Sequence, residues 1–156
     1  MNIKILLVDD HEIMREGLCA LLRKHDDIEI VGQASDGRAA VKKVDSLSPD
    51  VVVMDIGMPE LNGVEATHSI RKKHPQTQVV ILSVYSTTEH IRRAFHEGAI
   101  AYVLKESAGK EVIDAVRSAA AGRRYVSDKI ADIIVEGRSH GAAEKKPQTK
   151  KNPGKS

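Results

Sequence analysis

Short apolar runs recur along the chain, and the apolar residues between them fall at helical spacing. Ile3–Val8, Val51–Met54, Val79–Leu82 and Ala101–Leu104 are short and rich in β-branched residues. Such runs read as strands buried on both faces, the pattern of a parallel sheet. Ile28–Ala34 alternates more, which predicts an edge strand with one wetter face. Ile13, Leu18, Leu21 and Leu22 mark a first helix, and Ala40, Val41, Val44 and Leu47 a second. A third begins near Asn62 and carries Val64 and Ile70. The fourth opens at Ser86-Thr87-Thr88-Glu89, a capping-box spacing, and stops near Gly98. The fifth carries Val112, Ile113, Val116 and Ala120 and ends at Gly122.

Five β/α units in series predict an α/β fold, a doubly wound five-stranded parallel sheet with helices on both faces. Each parallel crossover needs a helix and turns right-handed. After Gly122, Tyr125-Val126-Ser127 leads into an amphipathic stretch with Ile130, Ile133 and Ile134 at helical spacing, for which Ser127 is a candidate N-cap. Those isoleucines are expected to cover the body or a partner subunit. From His140 the chain has no apolar periodicity and no means of burying a core, which predicts disorder. The expected organisation is a folded domain over 1–122, a linker helix over 123–139 and a disordered basic tail over 140–156.

Composition sharpens this picture at three points. First, an apolar share of 41% in 156 residues suits one packed domain, and no apolar stretch approaches the roughly 20 residues of a membrane span. With no signal peptide at its start, the chain is expected to be cytoplasmic. Second, the lone Cys19 excludes an internal disulfide and is read as a small core residue, and the seven histidines show no metal-ligand spacing with cysteine and receive no metal. Third, the net charge of +2 conceals a split. From Arg138 onward there are six basic residues and one acid, a local balance of +5 that leaves residues 1–137 at −3. The tail could bind DNA phosphates weakly and without sequence preference, but a solvated linker is the favoured expectation.

Ligands of doubly wound sheets bind outside the carboxyl ends of the strands. There the first strand is followed by Asp9-Asp10, the third by Asp55, the fourth by Ser83 and the fifth by Lys105. Carboxylates held close repel one another unless a cation joins them. Mg²⁺ suits such a site, with one or two carboxylates, a carbonyl, waters and phosphate oxygens around it. Lys105 and Ser83 would face the other oxygens of a phosphoryl group, and a carboxylate there can serve as its nucleophile. Each residue also has a structural explanation, Asp10 as a helix cap and Asp55 as a turn residue. The coincidence of all of them at the strand ends is what local capping does not require.

These residues, with Leu7-Val8-Asp9-Asp10-His11, Val53-Met54-Asp55-Ile56-Gly57-Met58-Pro59, Asn62-Gly63, Gly98-Ala99 and Tyr102-Val103-Leu104-Lys105, resemble the receiver domain of bacterial two-component response regulators. The resemblance implies a flavodoxin/CheY-like sheet of order 2-1-3-4-5. It implies Asp55 as phosphoacceptor, Mg²⁺ held by Asp10, Asp55, the Gly57 carbonyl and, through water, Asp9, and Lys105 paired with the phosphoryl group. Ser83 would move toward that group and Tyr102 would swing inward, coupling the chemistry to the face made by the fourth helix, fifth strand and fifth helix. The implied partners are a sensor histidine kinase or phosphotransfer protein, with possible homodimerisation on phosphorylation.

The chain departs from the family at two places. Glu106 follows Lys105 where many receivers have proline, which excludes a cis-proline in that loop. Val84 stands after Ser83 where a smaller residue is common, and its branched side chain is expected to narrow access to Asp55. An alternative function, a turnover phosphohydrolase, usually places a second aspartate two residues after the nucleophile, where this chain has Gly57. Gly122–Ser127 and the stretch after it also resemble the linker of NarL/FixJ-type regulators, in which a DNA-binding helix-turn-helix domain follows. No second pair of capped apolar helices exists after Gly137. A stand-alone receiver is the favoured expectation, a regulator shortened before its output domain the alternative, and DNA is a partner only in the second case.

Overall fold

The computed structural model describes residues 2–57 and 62–132. Along the chain, β1 (Ile3–Val8), α1 (Glu12–Arg23), β2 (Ile28–Ala34), α2 (Gly37–Leu47), β3 (Val51–Asp55), α3 (Gly63–Lys73), β4 (Gln78–Ser83), α4 (Thr88–His96), β5 (Ala101–Leu104), α5 (Ala108–Ala120) and β6 (Tyr125–Val126) follow one another, with a 3₁₀ turn over Lys105–Ser107. The sheet is parallel throughout and ordered β2-β1-β3-β4-β5-β6.

The period of two along each strand distributes the core to both sides. Leu6, Val8, Val52, Met54, Val79 and Ile81 pack under α2, α3 and α4. Their neighbours Ile5, Leu7, Val51, Val53, Val80 and Leu82 pack under α1 and α5. All these side chains are fully buried, which is why the runs show no polar alternation. The alternating strand β2 lies at one edge, as expected. Cys19 is buried among Leu18 and Leu22, and that burial pushes its thiol up, so it behaves as a small core residue.

The sheet has six strands rather than the expected five. Tyr125–Val126 is too short to announce itself as an apolar run, and its pairing is decided by tertiary contacts. Tyr125 N–H donates to the Ile100 carbonyl at 3.2 Å, and Ser127 N–H to the Tyr102 carbonyl at 3.0 Å. Ser127 stands at the head of the helix turn as expected, its carbonyl accepting from Ala131 N–H at 2.9 Å, but its hydroxyl accepts from Leu104 N–H at 3.0 Å and so ties the segment to β5. Ile130, in the turn of helix that follows, is fully buried in the cluster that holds Ile91, Tyr102 and Leu104. Burying one such side chain contributes roughly 2 kcal/mol, enough to dock a short segment. Ile133, Ile134 and the whole of 140–156 lie outside the described residues.

A second correction concerns α4. The cap is Thr87, whose hydroxyl accepts from His90 N–H, and not Ser86 with Glu89. The capping box belongs to α3, where the Asn62 side chain accepts from Glu65 N–H and the Glu65 side chain accepts from Asn62 N–H. At the far end of α4, Gly98 has φ +113°, and a Cβ there would stand 2.8 Å from Arg71 Cγ. Gly98→Ala is therefore expected to cost about 1–3 kcal/mol in chemical denaturation, through a backbone conformation that L side chains rarely adopt.

Candidate functional site

Asp9 and Asp10 follow β1, Asp55 ends β3, Ser83 ends β4 and Lys105 follows β5. Parallel strands in register carry these positions to one edge, since Val8 pairs with Met54, Asp55 with Leu82, and Ser83 with Leu104. Asp9, Asp55 and Ser83 are buried, and Asp10 reaches solvent. Lys105 Nζ lies 3.2 Å from Asp55 Oδ2 and 3.6 Å from Asp9 Oδ2. Ligand atoms of Asp9, Asp10, His11 and Asp55 all lie within 4.8 Å of one another.

Local structure accounts for part of this arrangement and leaves a remainder. Asp9 Oδ1 accepts from His11 N–H at 2.8 Å, and Asp55 Oδ1 from Gly57 N–H at 3.0 Å. The N-cap of α1 is His11, with no side-chain capping bond, so Asp10 is not used as a cap. Among the described residues, Asp9 Oδ2 and Asp55 Oδ2 are buried without a hydrogen-bond partner. Buried carboxylate oxygens are costly to leave under-compensated, and with one lysine between the two there is room for a further cation to join them. A hard divalent ion fits this donor set of close oxygens better than a soft metal.

His11, part of the strand-end motif but given no role there, also joins the cluster: its Nδ1 lies 3.2 Å from Asp9 Oδ1 and 3.3 Å from Asp10 Oδ1. Its adjacency to the aspartate pair was the available signal. Arg15 was also missed. It donates to the Asp9 carbonyl from Nη1 at 2.6 Å and to Gln33 Oε1 from Nε at 3.1 Å, bracing the end of β1.

A cleft of about 150 Å³ opens over Asp55, lined by His11, Ile56, Gly57, Ser83, Val84, Tyr85 and Lys105. Val84 is 68% exposed and stands at its mouth. Ser83 Oγ accepts from Tyr85 N–H at 2.9 Å, and the Tyr102 hydroxyl donates to the Tyr85 carbonyl at 2.8 Å. Tyr102, expected to swing inward on phosphorylation, is already fully buried in this structure. Burial pushes its phenol up, an effect that Ser83 partly offsets.

Residues 5–117 match the family model described as the response regulator receiver domain. The chain is a receiver domain of the response-regulator family. Among curated relatives the receiver is 40% identical over 130 residues to the response regulator protein VraR of Staphylococcus aureus and 36% identical over 138 residues to the transcriptional regulatory protein LiaR of Bacillus subtilis. These matches cover 83% and 88% of this chain and 62% and 65% of the relatives. The chain thus spans under two thirds of the length of the curated relatives it matches. Among solved structures, a two-component response regulator of the LuxR family from Aurantimonas sp. SI85-9A1 is 36% identical with a TM-score of 0.85, covering 88% of this receiver and 99% of that chain. The receiver domain of a putative NarL response regulator from Mycobacterium tuberculosis is 30% identical with a TM-score of 0.75, covering 78% and 98%. No helix among the receiver's described residues is long and apolar enough to cross a membrane.

Proposed function

We propose that this receiver is a phosphoryl switch in which Asp55 accepts a phosphoryl group from a phosphohistidine of a sensor histidine kinase or phosphotransfer protein. The observation that carries this reading is the pair of buried oxygens, Asp55 Oδ2 and Asp9 Oδ2, without a hydrogen bond among the described residues and facing Lys105, beside a cleft that Asp55 and Lys105 line. An Asp55 carboxylate oxygen forms the new P–O bond as the P–N bond to the donor imidazole breaks, and the bonding pair leaves with the imidazole. Lys105 neutralises charge on the phosphoryl oxygens, and the Ser83 hydroxyl, whose oxygen accepts from Tyr85 N–H, keeps its own proton to donate to one of them.

Asp10, Asp55 and the Gly57 carbonyl would hold Mg²⁺ directly and Asp9 through water, which supplies the charge neutralisation that two carboxylates and a phosphoryl group require at close range. Asp9 and Asp55 bring that negative charge together, and Lys105 alone does not balance it. Gly57 leaves the position of a phosphatase's acid aspartate without a proton donor, so the acyl phosphate waits for water. That favours a signal over turnover. Movement of Ser83 and Tyr102 would then alter the face made by α4, β5 and α5, where a partner or a second copy binds. A cytoplasmic site of action follows from the same reading, and DNA would be a partner only where a DNA-binding domain is joined to the receiver.

The test is intact mass after incubation with acetyl phosphate, with and without Mg²⁺. A phosphate adduct that needs Mg²⁺ and is lost in Asp55→Asn supports the function, and rapid turnover of a phosphate monoester would replace it with hydrolysis. Val84→Ala is expected to speed adduct formation by widening the mouth of the cleft. Its stability should stay within about 0.5 kcal/mol, since the side chain is exposed. Equal rates in the variant and the parent would remove Val84 as an access barrier.

A further inference from the structure

We propose that Tyr85 and His90 are positioning residues for the switch, their stacked rings holding the loop between β4 and α4 in the shape that engages Ser83 and keeps Tyr102 inside. This rests on the reading of Ser83 and Tyr102 as the switch pair. One residue's backbone holds both members: Tyr85 N–H donates to Ser83 Oγ, and the Tyr85 carbonyl accepts the Tyr102 hydroxyl. What holds Tyr85 is not burial. It is 45% exposed, and the preceding Val84 is 68% exposed.

Its ring instead lies face to face on the His90 imidazole, with centroids 4.3 Å apart and planes 6° from parallel. His90 is in the first turn of α4, where its N–H donates to Thr87 Oγ1 and its Nδ1 shares a 2.6 Å hydrogen bond with the same hydroxyl. The contacts therefore run from the capped end of α4 through His90 to the Tyr85 ring, and from the Tyr85 backbone to Ser83 and Tyr102. An exposed aromatic with a stacking partner loses rotamer freedom on a surface where it would otherwise keep it. The loop is thereby ordered with Tyr102 in the inward position. Apparent affinity for a phosphoryl group rises with the fraction of molecules in the competent shape.

The experiment uses the full chain with Tyr85→Phe and Tyr125→Phe, which leaves Tyr102 as the sole tyrosine of the three, labelled with 3-fluorotyrosine. Fluorine NMR then reads whether Tyr102 is buried, and titration with beryllofluoride in Mg²⁺ reads phosphoryl-site affinity. His90→Ala is expected to shift the Tyr102 resonance toward that of an exposed tyrosine and to weaken beryllofluoride binding about fivefold. His90→Phe, which keeps a stacking face, is expected to match the parent in both. An unchanged Tyr102 resonance in His90→Ala overturns the proposal. So does a His90→Phe variant that behaves like alanine, because the Thr87 hydrogen bond and not the stack would then be the operative contact. If the phosphoacceptor reading is itself wrong, beryllofluoride binds no variant, while the fluorine signal still reports on the stack.

Discussion

Asp55→Asn takes up no phosphate from acetyl phosphate in the presence of Mg²⁺, although the variant folds. This is the expected result with the largest functional effect. The amide has nearly the shape of the carboxylate and its carbonyl oxygen can keep the hydrogen bond from Gly57 N–H, which Asp55 Oδ1 accepts at 3.0 Å. What is lost is the anionic oxygen facing Lys105 at 3.2 Å. A neutral amide is a far weaker nucleophile toward phosphorus and a poorer ligand for a hard cation. Removing one of two buried carboxylates that share a single lysine also relieves repulsion. The metal-free variant should therefore melt no lower than the parent, and stability and activity part company, as they do at sites built for function. Intact mass reads the first quantity and thermal unfolding the second. A full-height phosphate adduct in the variant would move the phosphoacceptor elsewhere.

Gly63→Ala is expected to damage both the fold and the site. Gly63 opens α3, and a Cβ there would sit 2.4 Å from the Asp55 carbonyl oxygen, 2.6 Å from Ile56 Cα and 3.0 Å from the Asp55 carbonyl carbon. All three are backbone atoms, so no side chain can rotate away. Either α3 lifts from the sheet or the end of β3 shifts, and Asp55 shifts with it. Overpacking costs typically 1–3 kcal/mol, and a backbone-on-backbone clash belongs at or above about 3 kcal/mol. Denaturant unfolding should show that loss, and phosphorylation under conditions where the variant remains folded should fall as well. Parental stability in Gly63→Ala would mean that α3 can move at little cost. The position contrasts with Gly17 and Gly109, where an added Cβ meets nothing within 4 Å.

The sheet was legible in the sequence because four of its strands are buried on both faces and leave uninterrupted apolar runs. The residues of the candidate site were legible because a parallel sheet brings all its strand ends to one edge, so Asp9, Asp10, Asp55, Ser83 and Lys105 need only stand at the right places in the chain. Capping was less legible. Ser86 and Thr87 have the same chemistry one residue apart, and the choice of Thr87 depends on how the loop crosses from β4. Strand β6 left no trace at all, since two residues carry no period and their pairing comes from β5.

By itself, then, the sequence determined the α/β alternation, the edge of the sheet that carries the candidate site and the residue types gathered there, because those follow from local periodicity and chain order. The tertiary structure decided the rest. Which carboxylate oxygens remain unsatisfied, why Gly63 cannot carry a side chain and how the Tyr85 backbone joins Ser83 to Tyr102 are all set by distances between segments remote in the chain. No local pattern encodes such distances; they exist only once the sheet has assembled and its helices have closed over it.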